Sequence, residues 1–227
     1  MIKLIIFDMA GTSIQEHNLV YRSIQNILQE AGQPTSLAAV LEHGAGKEKW
    51  QAIFDTLKAV QGVEPDHDRV TVLHEQFKTR LEKAYDTHEM EVFPGVLAVI
   101  EALRPQGIKI GFNTGYKKAT AEKILQKVGI AVPRDIDALA TADMVSRGRP
   151  APDMIQLICE KLNIPAEQSI KVGDSAIDIA EGKNAGVAYT IGVTTGAQTR
   201  PQLSAVHPDY IFDDMRELLE KWEDLAG

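Results

Sequence analysis

Cysteine is nearly missing from this chain. Cys159 is the only one among 227 residues, so no disulfide can form within it, and a reducing compartment, the cytoplasm, is expected. Long apolar runs are missing too: no stretch approaches the roughly 20 residues that cross a bilayer. The N-terminus carries one lysine and a short apolar segment that runs straight into Asp8, which is not the layout of a signal peptide. Positive charge is in deficit, with 24 Lys and Arg against 32 Asp and Glu and a net charge of −8. That leaves no basic face for nucleic acid or for a membrane surface, so neither is expected as a partner. An anionic small molecule would need a local cation inside a negative protein. Internal repeats and low-complexity tracts are also absent. What remains is ordinary for a globular protein: 44% apolar and 25% charged residues, in a chain long enough for a sizeable core.

The most informative stretch is Lys3-Leu-Ile-Ile-Phe7-Asp8-Met-Ala10-Gly11-Thr12. The apolar run from Leu4 to Phe7 is too short for a buried helix and suits a central strand buried on both faces. Asp8 then lies at the carboxyl end of that strand, where open α/β sheets bind ligands. A turn-capping aspartate is the plainer alternative. Gly11 allows a sharp turn, and Thr12 can hydrogen-bond an anion or the turn itself.

Beyond Thr12 the spacing becomes helical. Leu19, Ile24, Ile27 and Leu28 mark one amphipathic helix, residues 36–42 a short second, and a third starts near Lys47 with Trp50, Ile53, Phe54 and Leu57. A fourth runs over 68–85, with Val72, Leu73, Phe77 and Leu81 on one face. Val92-Phe93-Pro94-Gly95 ends this block, and strands then alternate with helices. Strands are expected at 108–112, 138–140, 169–172, 188–193 and 210–212, and helices at 96–103, 117–128, 153–162 and 177–185, before a C-terminal helix. Cys159 falls in the apolar pattern of the 153–162 helix and reads as core rather than nucleophile. The pattern predicts an α/β fold, a doubly wound parallel sheet with an inserted all-helical cap. Residues 1–16 and 90–227 form the core domain and 17–89 the cap, with hinges near 13–17 and 87–94.

Parallel strands bring their carboxyl ends to one edge. That edge gathers Asp8, then Asn113-Thr114-Gly115-Tyr116, then Arg147-Gly148-Arg149-Pro150, then Gly173-Asp174-Ser175 with Asp178 one turn into its helix. Clustered carboxylates repel and usually surround a metal; an oxygen-rich set beside a Gly-rich turn and a cation suits Mg²⁺ holding a phosphate.

On these segments the chain resembles the haloacid dehalogenase superfamily, in order and spacing as well as residue type, over almost its whole length. The resemblance implies a Rossmann-like core with a mobile cap inserted after the first motif. It implies that Asp8 is the nucleophile that takes the phosphoryl group, and that Asp8, the Ala10 carbonyl and Asp174 ligate Mg²⁺ with Asp178 in support. Thr114 would bind phosphoryl oxygens, and Arg149 would take the cationic role that most members give a lysine. Asn113, Gly115, Tyr116 and Thr12 are expected around the substrate.

Ala10 departs from the superfamily pattern. Most of its phosphatases have an aspartate there, which protonates the leaving oxygen, and alanine has no proton to give. A phosphonatase-like group within the superfamily also carries alanine here. In that group a cap lysine forms an imine with phosphonoacetaldehyde, so that the P–C bond breaks with carbon leaving as an enamine. The Gly44-Ala-Gly46-Lys47 segment and the Lys171-to-Gly186 segment resemble that group. Lys47 is the expected imine former; it opens a helix, whose positive end would favour the neutral amine. A solvated charge is the alternative. Where the group has a histidine three residues later, this chain has Trp50, a packing residue or a wall of the substrate site; His43 could substitute. Asn18, on the first hinge, reads as an N-cap or as a residue at the substrate entrance.

Three readings follow. The first is a Mg²⁺-dependent phosphonatase-like hydrolase of a small phosphonate. The second is a phosphomonoesterase with its proton donor in the cap, and the third a catalytically silent phosphate-binding protein. The chain would be a monomer, or a homodimer through the cap, whose first helix could pair its apolar stripe with a copy.

Overall fold

A computed structural model describes residues 1–45 and 47–227; Gly46, part of the expected turn before Lys47, lies outside them. In chain order, β1 (Leu4–Asp8) and β2 (Ile14–Gln15) precede α1 (Leu19–Glu30), α2 (Leu37–Gly44), α3 (Lys49–Gln61) and α4 (His67–Thr87). Then come β3 (Glu91–Val92), α5 (Pro94–Leu103), β4 (Lys109–Thr114), α6 (Lys118–Lys127) and β5 (Ala138–Thr141). These are followed by α7 (Asp153–Leu162), β6 (Ser169–Gly173), α8 (Ala176–Ala185) and β7 (Tyr189–Val193). The chain finishes with α9 (Arg200–Ser204), β8 (Tyr210–Phe212), α10 (Glu217–Glu220) and α11 (Trp222–Ala226). Contacts divide the chain into two compact units, Met1–Gln15 with Met90–Gly227, and Glu16–Glu89.

The first unit is built on a six-stranded sheet in the order β5-β4-β1-β6-β7-β8, with every neighbouring pair parallel. All five residues of β1 are buried, as its unbroken apolar run requires of a strand covered on both faces. On one face α7 packs Met154, Ile155, Ile158 and Cys159 against Leu4, Ile6, Ala138 and Ala140. Each such buried aliphatic side chain contributes roughly 1.5–3 kcal/mol. Gly111 on β4 lets α7 approach, because a methyl there would meet Ile158 at 2.9 Å. Cys159 is core, as expected, and burial pushes its thiol up to about 11, away from reactivity. The short β2 and β3 pair antiparallel in a separate two-stranded ribbon.

The second unit is helical. Ser36, Glu48 and Asp66 cap α2, α3 and α4 by accepting the backbone N–H of Ala39, Gln51 and Arg69. α1 buries Leu19, Ile24, Ile27 and Leu28 and packs on α2 and α4. Its apolar stripe is therefore used within the unit and needs no second copy. Three expectations are corrected. Val72 is 56% exposed, because the buried face of α4 runs through Val70, Leu73 and Phe77. The third helix begins at Lys49 behind its Glu48 cap, so Lys47 precedes it, and an acidic residue stands between Lys47 and the helix's positive end. Asn18 occupies the N-cap position of α1 but is left-handed, at φ 60°, and its side chain makes no cap bond. Among the described residues, no helix is long and apolar enough to cross a membrane.

Candidate active site

The strand order reverses around β1: the chain runs outward through β4 and β5 on one side and returns through β6, β7 and β8 on the other. Such a switch point opens a crevice at the carboxyl edge. Asp8 ends β1 beside Asn113 of β4, Thr114 ends β4, and Asp174 follows Gly173 at the end of β6. Asp178 reaches the same place from the first turn of α8.

One carboxylate oxygen from each of Asp8, Asp174 and Asp178 lies within 4.8 Å of the others, and all three residues are buried. Their environments differ. Burial pushes Asp174 up to about 8, helped by the charges of Asp8 and Asp178 and opposed by the Ala197 N–H, which donates to Oδ2 at 2.6 Å. Burial also raises Asp8, against the pull of Arg149. Asp178 is held below the ordinary carboxylate range despite its burial, because Lys171 and Arg149 face Oδ1 at 3.1 and 2.9 Å and the Ser175 hydroxyl donates to Oδ2 at 2.6 Å.

Arg149 is the hub of the cluster. Its Nη2 donates to Asp8 Oδ1 at 2.5 Å and to the Asn113 carbonyl at 2.9 Å, and its Nε lies 3.4 Å from Glu181 Oε2. Beneath it lie two residues that the sequence reading gave no role. Lys171, on β6, and Glu181, on α8, are both fully buried. A lysine between Ile170 and Val172 looks like the outward position of an alternating strand. In a central strand covered on both faces, however, there is no outward position, and that was the available signal.

Four buried carboxylates, Asp8, Asp174, Asp178 and Glu181, thus face the buried Lys171 and the largely covered Arg149. The excess is two negative charges when all are ionised, which matches one divalent cation. Room is kept for one of the acidic groups: a methyl on Gly11 or Gly196 would overlap the Asp174 carboxylate. The buried Thr12 hydroxyl has no hydrogen-bond partner among the described residues. Hard oxygen donors of this kind fit Mg²⁺. Asp8 and Asp174 offer the less engaged carboxylates; Asp178 Oδ2 accepts from Ser175, and its Oδ1 faces Lys171 and Arg149.

Other expected residues are placed as follows. Thr114 is buried, and its hydroxyl accepts the Tyr116 N–H at 3.2 Å; Gly115 is exposed and Tyr116 half-buried. Ala10 lies in the turn after Asp8, bridged to Ile14. Asn113 does not offer its side chain to a substrate. Its amide is fully buried: Nδ2 donates into the Glu181 carboxylate, 2.9 and 2.8 Å from its two oxygens, and Oδ1 accepts from Lys171 at 2.6 Å. In the second unit, Lys47 Nζ pairs with Asp55 Oδ2 at 2.5 Å, and Gln51 donates to the other Asp55 oxygen at 2.8 Å. Burial pulls the Asp55 carboxyl up, but the hydrogen bonds from Lys47 and Gln51 outweigh it and hold it below its ordinary value. Trp50 is a packing residue, stacked on Phe54 with its indole N–H on Thr71. His43 sits half-exposed in the last turn of α2, 4.0 Å from Glu42.

Residues 2–186 match the haloacid dehalogenase-like hydrolase family. A phosphonoacetaldehyde hydrolase of Bacillus cereus is 31% identical over 233 aligned positions, spanning 98% of this chain and 86% of that one. A pyrophosphatase PpaX of Oceanobacillus iheyensis is 26% identical, spanning 96% and 95%. The crystal structure of a haloacid dehalogenase-like protein from Agrobacterium tumefaciens superposes with a TM-score of 0.84 over the full length of both chains, at 20% identity, a likeness of fold. The chain belongs to the haloacid dehalogenase-like hydrolases.

Proposed function

We propose that this hydrolase cleaves the P–C bond of a small phosphonate, phosphonoacetaldehyde or a close analogue, with Mg²⁺ at the carboxylate cluster and the helical unit acting as cap. Ala10 carries the reading. Two residues after Asp8, which clusters with Asp174 and Asp178 and pairs with Arg149, stands a methyl group where a proton donor for an ester oxygen would be needed. A carbon leaving group with its own electron sink needs no acid at that position. The match to a phosphonoacetaldehyde hydrolase over nearly the whole chain supports the same choice.

Asp8 attacks phosphorus once the Arg149 guanidinium passes from its carboxylate to the phosphoryl oxygens, where it offsets the repulsion between two anions. Asp8, the Ala10 carbonyl and Asp174, with Asp178 in support, would hold Mg²⁺, which would supply further neutralisation of those oxygens when bound. The Thr114 and Thr12 hydroxyls are the nearby neutral donors. Lys47 leaves Asp55 and condenses with the substrate aldehyde. Asp55 takes a proton from the Lys47 ammonium, the free amine adds to the carbonyl, and the proton returns to the hydroxyl that leaves as water, giving the iminium. The P–C electron pair then flows into the iminium, giving an enamine and an aspartyl-phosphate. Water releases acetaldehyde from the first and phosphate from the second.

Phosphomonoester hydrolysis is the second reading. The engagement of Lys47 by Asp55 favours it, as does the similarity to a pyrophosphatase. The two readings separate on one experiment. Protein incubated with Mg²⁺ and phosphonoacetaldehyde is treated with borohydride and digested. A reduced adduct on the Lys47 peptide, with acetaldehyde and phosphate released and both lost in Lys47→Arg, supports P–C cleavage. Phosphate release from simple esters without an adduct supports the esterase.

A further inference from the structure

Lys171 donates one hydrogen bond, to Asn113, and faces two carboxylates. Nζ lies 2.6 Å from Asn113 Oδ1, 3.1 Å from Asp178 Oδ1 and 3.5 Å from Glu181 Oε2, with no exposure to solvent. Glu181 closes the frame by accepting from the Asn113 amide nitrogen, which lies 2.9 and 2.8 Å from its two oxygens. The orientation of that amide is thereby fixed, since its oxygen faces a cation and its nitrogen a carboxylate. Arg149 rests on the outer side of this frame. Its Nη2 binds the Asn113 carbonyl, its Nη1 lies 2.9 Å from Asp178 Oδ1, and its Nε faces Glu181. Every group that orients Arg149, apart from Asp8 itself, is therefore also held by Lys171 or by a partner of Lys171.

We propose that Lys171 and Glu181 are positioning residues, whose ring with Asn113 and Asp178 aims the Arg149 guanidinium at Asp8. A hydrocarbon in place of Lys171 would fill its volume, yet Asn113 Oδ1 would lose its short hydrogen bond and Asp178 Oδ1 a facing cation. Arg149 would then be drawn down toward Asp178 and Glu181 and away from Asp8. The frame also explains why β6 carries a lysine where a covered strand wants an apolar residue; Gly182 makes room for its stem and for Thr190, since a methyl there would meet Thr190 at 2.8 Å and Lys171 at 3.0 Å. The inference depends on Asp8 and Arg149 facing each other and not on which phosphoryl compound is cleaved.

The test needs no turnover. The side-chain Nε–H of Arg149 is observed by NMR in ¹⁵N-arginine-labelled protein and assigned by its loss in Arg149→Lys. Binding of inorganic phosphate in the presence of Mg²⁺ is titrated in parallel. In Lys171→Met the Arg149 proton is expected to exchange with water at least tenfold faster, and phosphate affinity to fall at least tenfold. Lys171→Met with Glu181→Gln removes one charge of each sign. This double variant should recover the thermal stability lost in Lys171→Met without recovering the Arg149 signal or phosphate binding. Should Lys171→Met fail to fold, the double variant carries the test alone. An Arg149 signal and phosphate affinity as in the wild type, in either variant, would overturn the proposal and leave Lys171 a neutralising charge.

Discussion

The carboxylate of Asp8 and the guanidinium of Arg149 meet at 2.5 Å, joining the end of the first strand to a loop 141 residues later. The proposed nucleophile is thus held by the cation that the proposed mechanism passes to the phosphoryl group.

Replacing that nucleophile separates chemistry from stability. Burial raises the Asp8 carboxyl above its ordinary value, so its charge is costly in the metal-free fold. Asp8→Asn should lower kcat at least about a thousandfold while leaving the metal-free Tm unchanged or higher. A fall of several degrees in Tm would show that the Arg149 pair stabilises the fold more than the clustered carboxylates strain it.

Metal binding should be visible as stability. A ligand at 100 times its Kd adds about 2.7 kcal/mol, which corresponds to roughly 5–10 °C in Tm for a chain of this size. Gly196→Ala places a methyl on the Asp174 carboxylate. It should raise the Mg²⁺ concentration for half-maximal activity at least about tenfold and shrink the Mg²⁺-induced Tm shift. An unchanged Mg²⁺ response would move the metal away from Asp174.

Much of this site was legible from residues 4–12 and from the strand ends. An unbroken apolar run that stops at a carboxylate admits few structures, and parallel strands force their ends together. The bounds of α7 and β8 coincide with the expected 153–162 and 210–212. What escaped was interior polarity. Asn113 read as a ligand because it ends a strand, but pleating turns its side chain inward to Glu181 and Lys171. The pairing of Ile14–Gln15 with Glu91–Val92 involves two residues on each side, too few for any period to show. Val72 misled for another reason: it lies one position off a buried face that only the packing of α4 defines.

The acid limb of stability should report Asp137, a residue outside the site. Its carboxylate accepts the Ile110 N–H at 2.9 Å and faces Lys109 and Arg104 at 2.9 and 3.4 Å. Partial burial pulls its carboxyl up, but these three partners outweigh that and hold it below the usual range. A carboxyl depressed in the folded state adds stability above its unfolded value of about 3.9, and that stability is lost as pH falls through the folded value. Asp137→Asn should therefore cost about 1–3 kcal/mol at pH 7 and distinctly less at pH 3. Urea melts of both proteins at the two pH values decide it; an equal cost at both would place the effect in packing.

Lys47 makes a cleaner probe than its role suggests. Its pair with Asp55 is substantially exposed, 44% on the lysine side, and pairs of that kind contribute little. Lys47→Met should cost less than about 1 kcal/mol in a guanidinium melt. Loss of activity in that variant would then report chemistry. A larger cost would mean that the Lys47–Asp55–Gln51 arrangement braces the helical unit.

The short ribbon formed by Ile14–Gln15 and Glu91–Val92 sets Gln15 directly opposite Glu91, with the Phe93 N–H on the Ser13 carbonyl just below. Departure and return of the chain are therefore next-door neighbours, as at the two ends of a hairpin. Residues 16–89 form a cassette that a tight turn of a few residues could replace, with no rung of the six-stranded sheet disturbed. A lineage built this way can exchange its helical insert wholesale, so that reaction chemistry and the choice of substrate evolve on separate schedules.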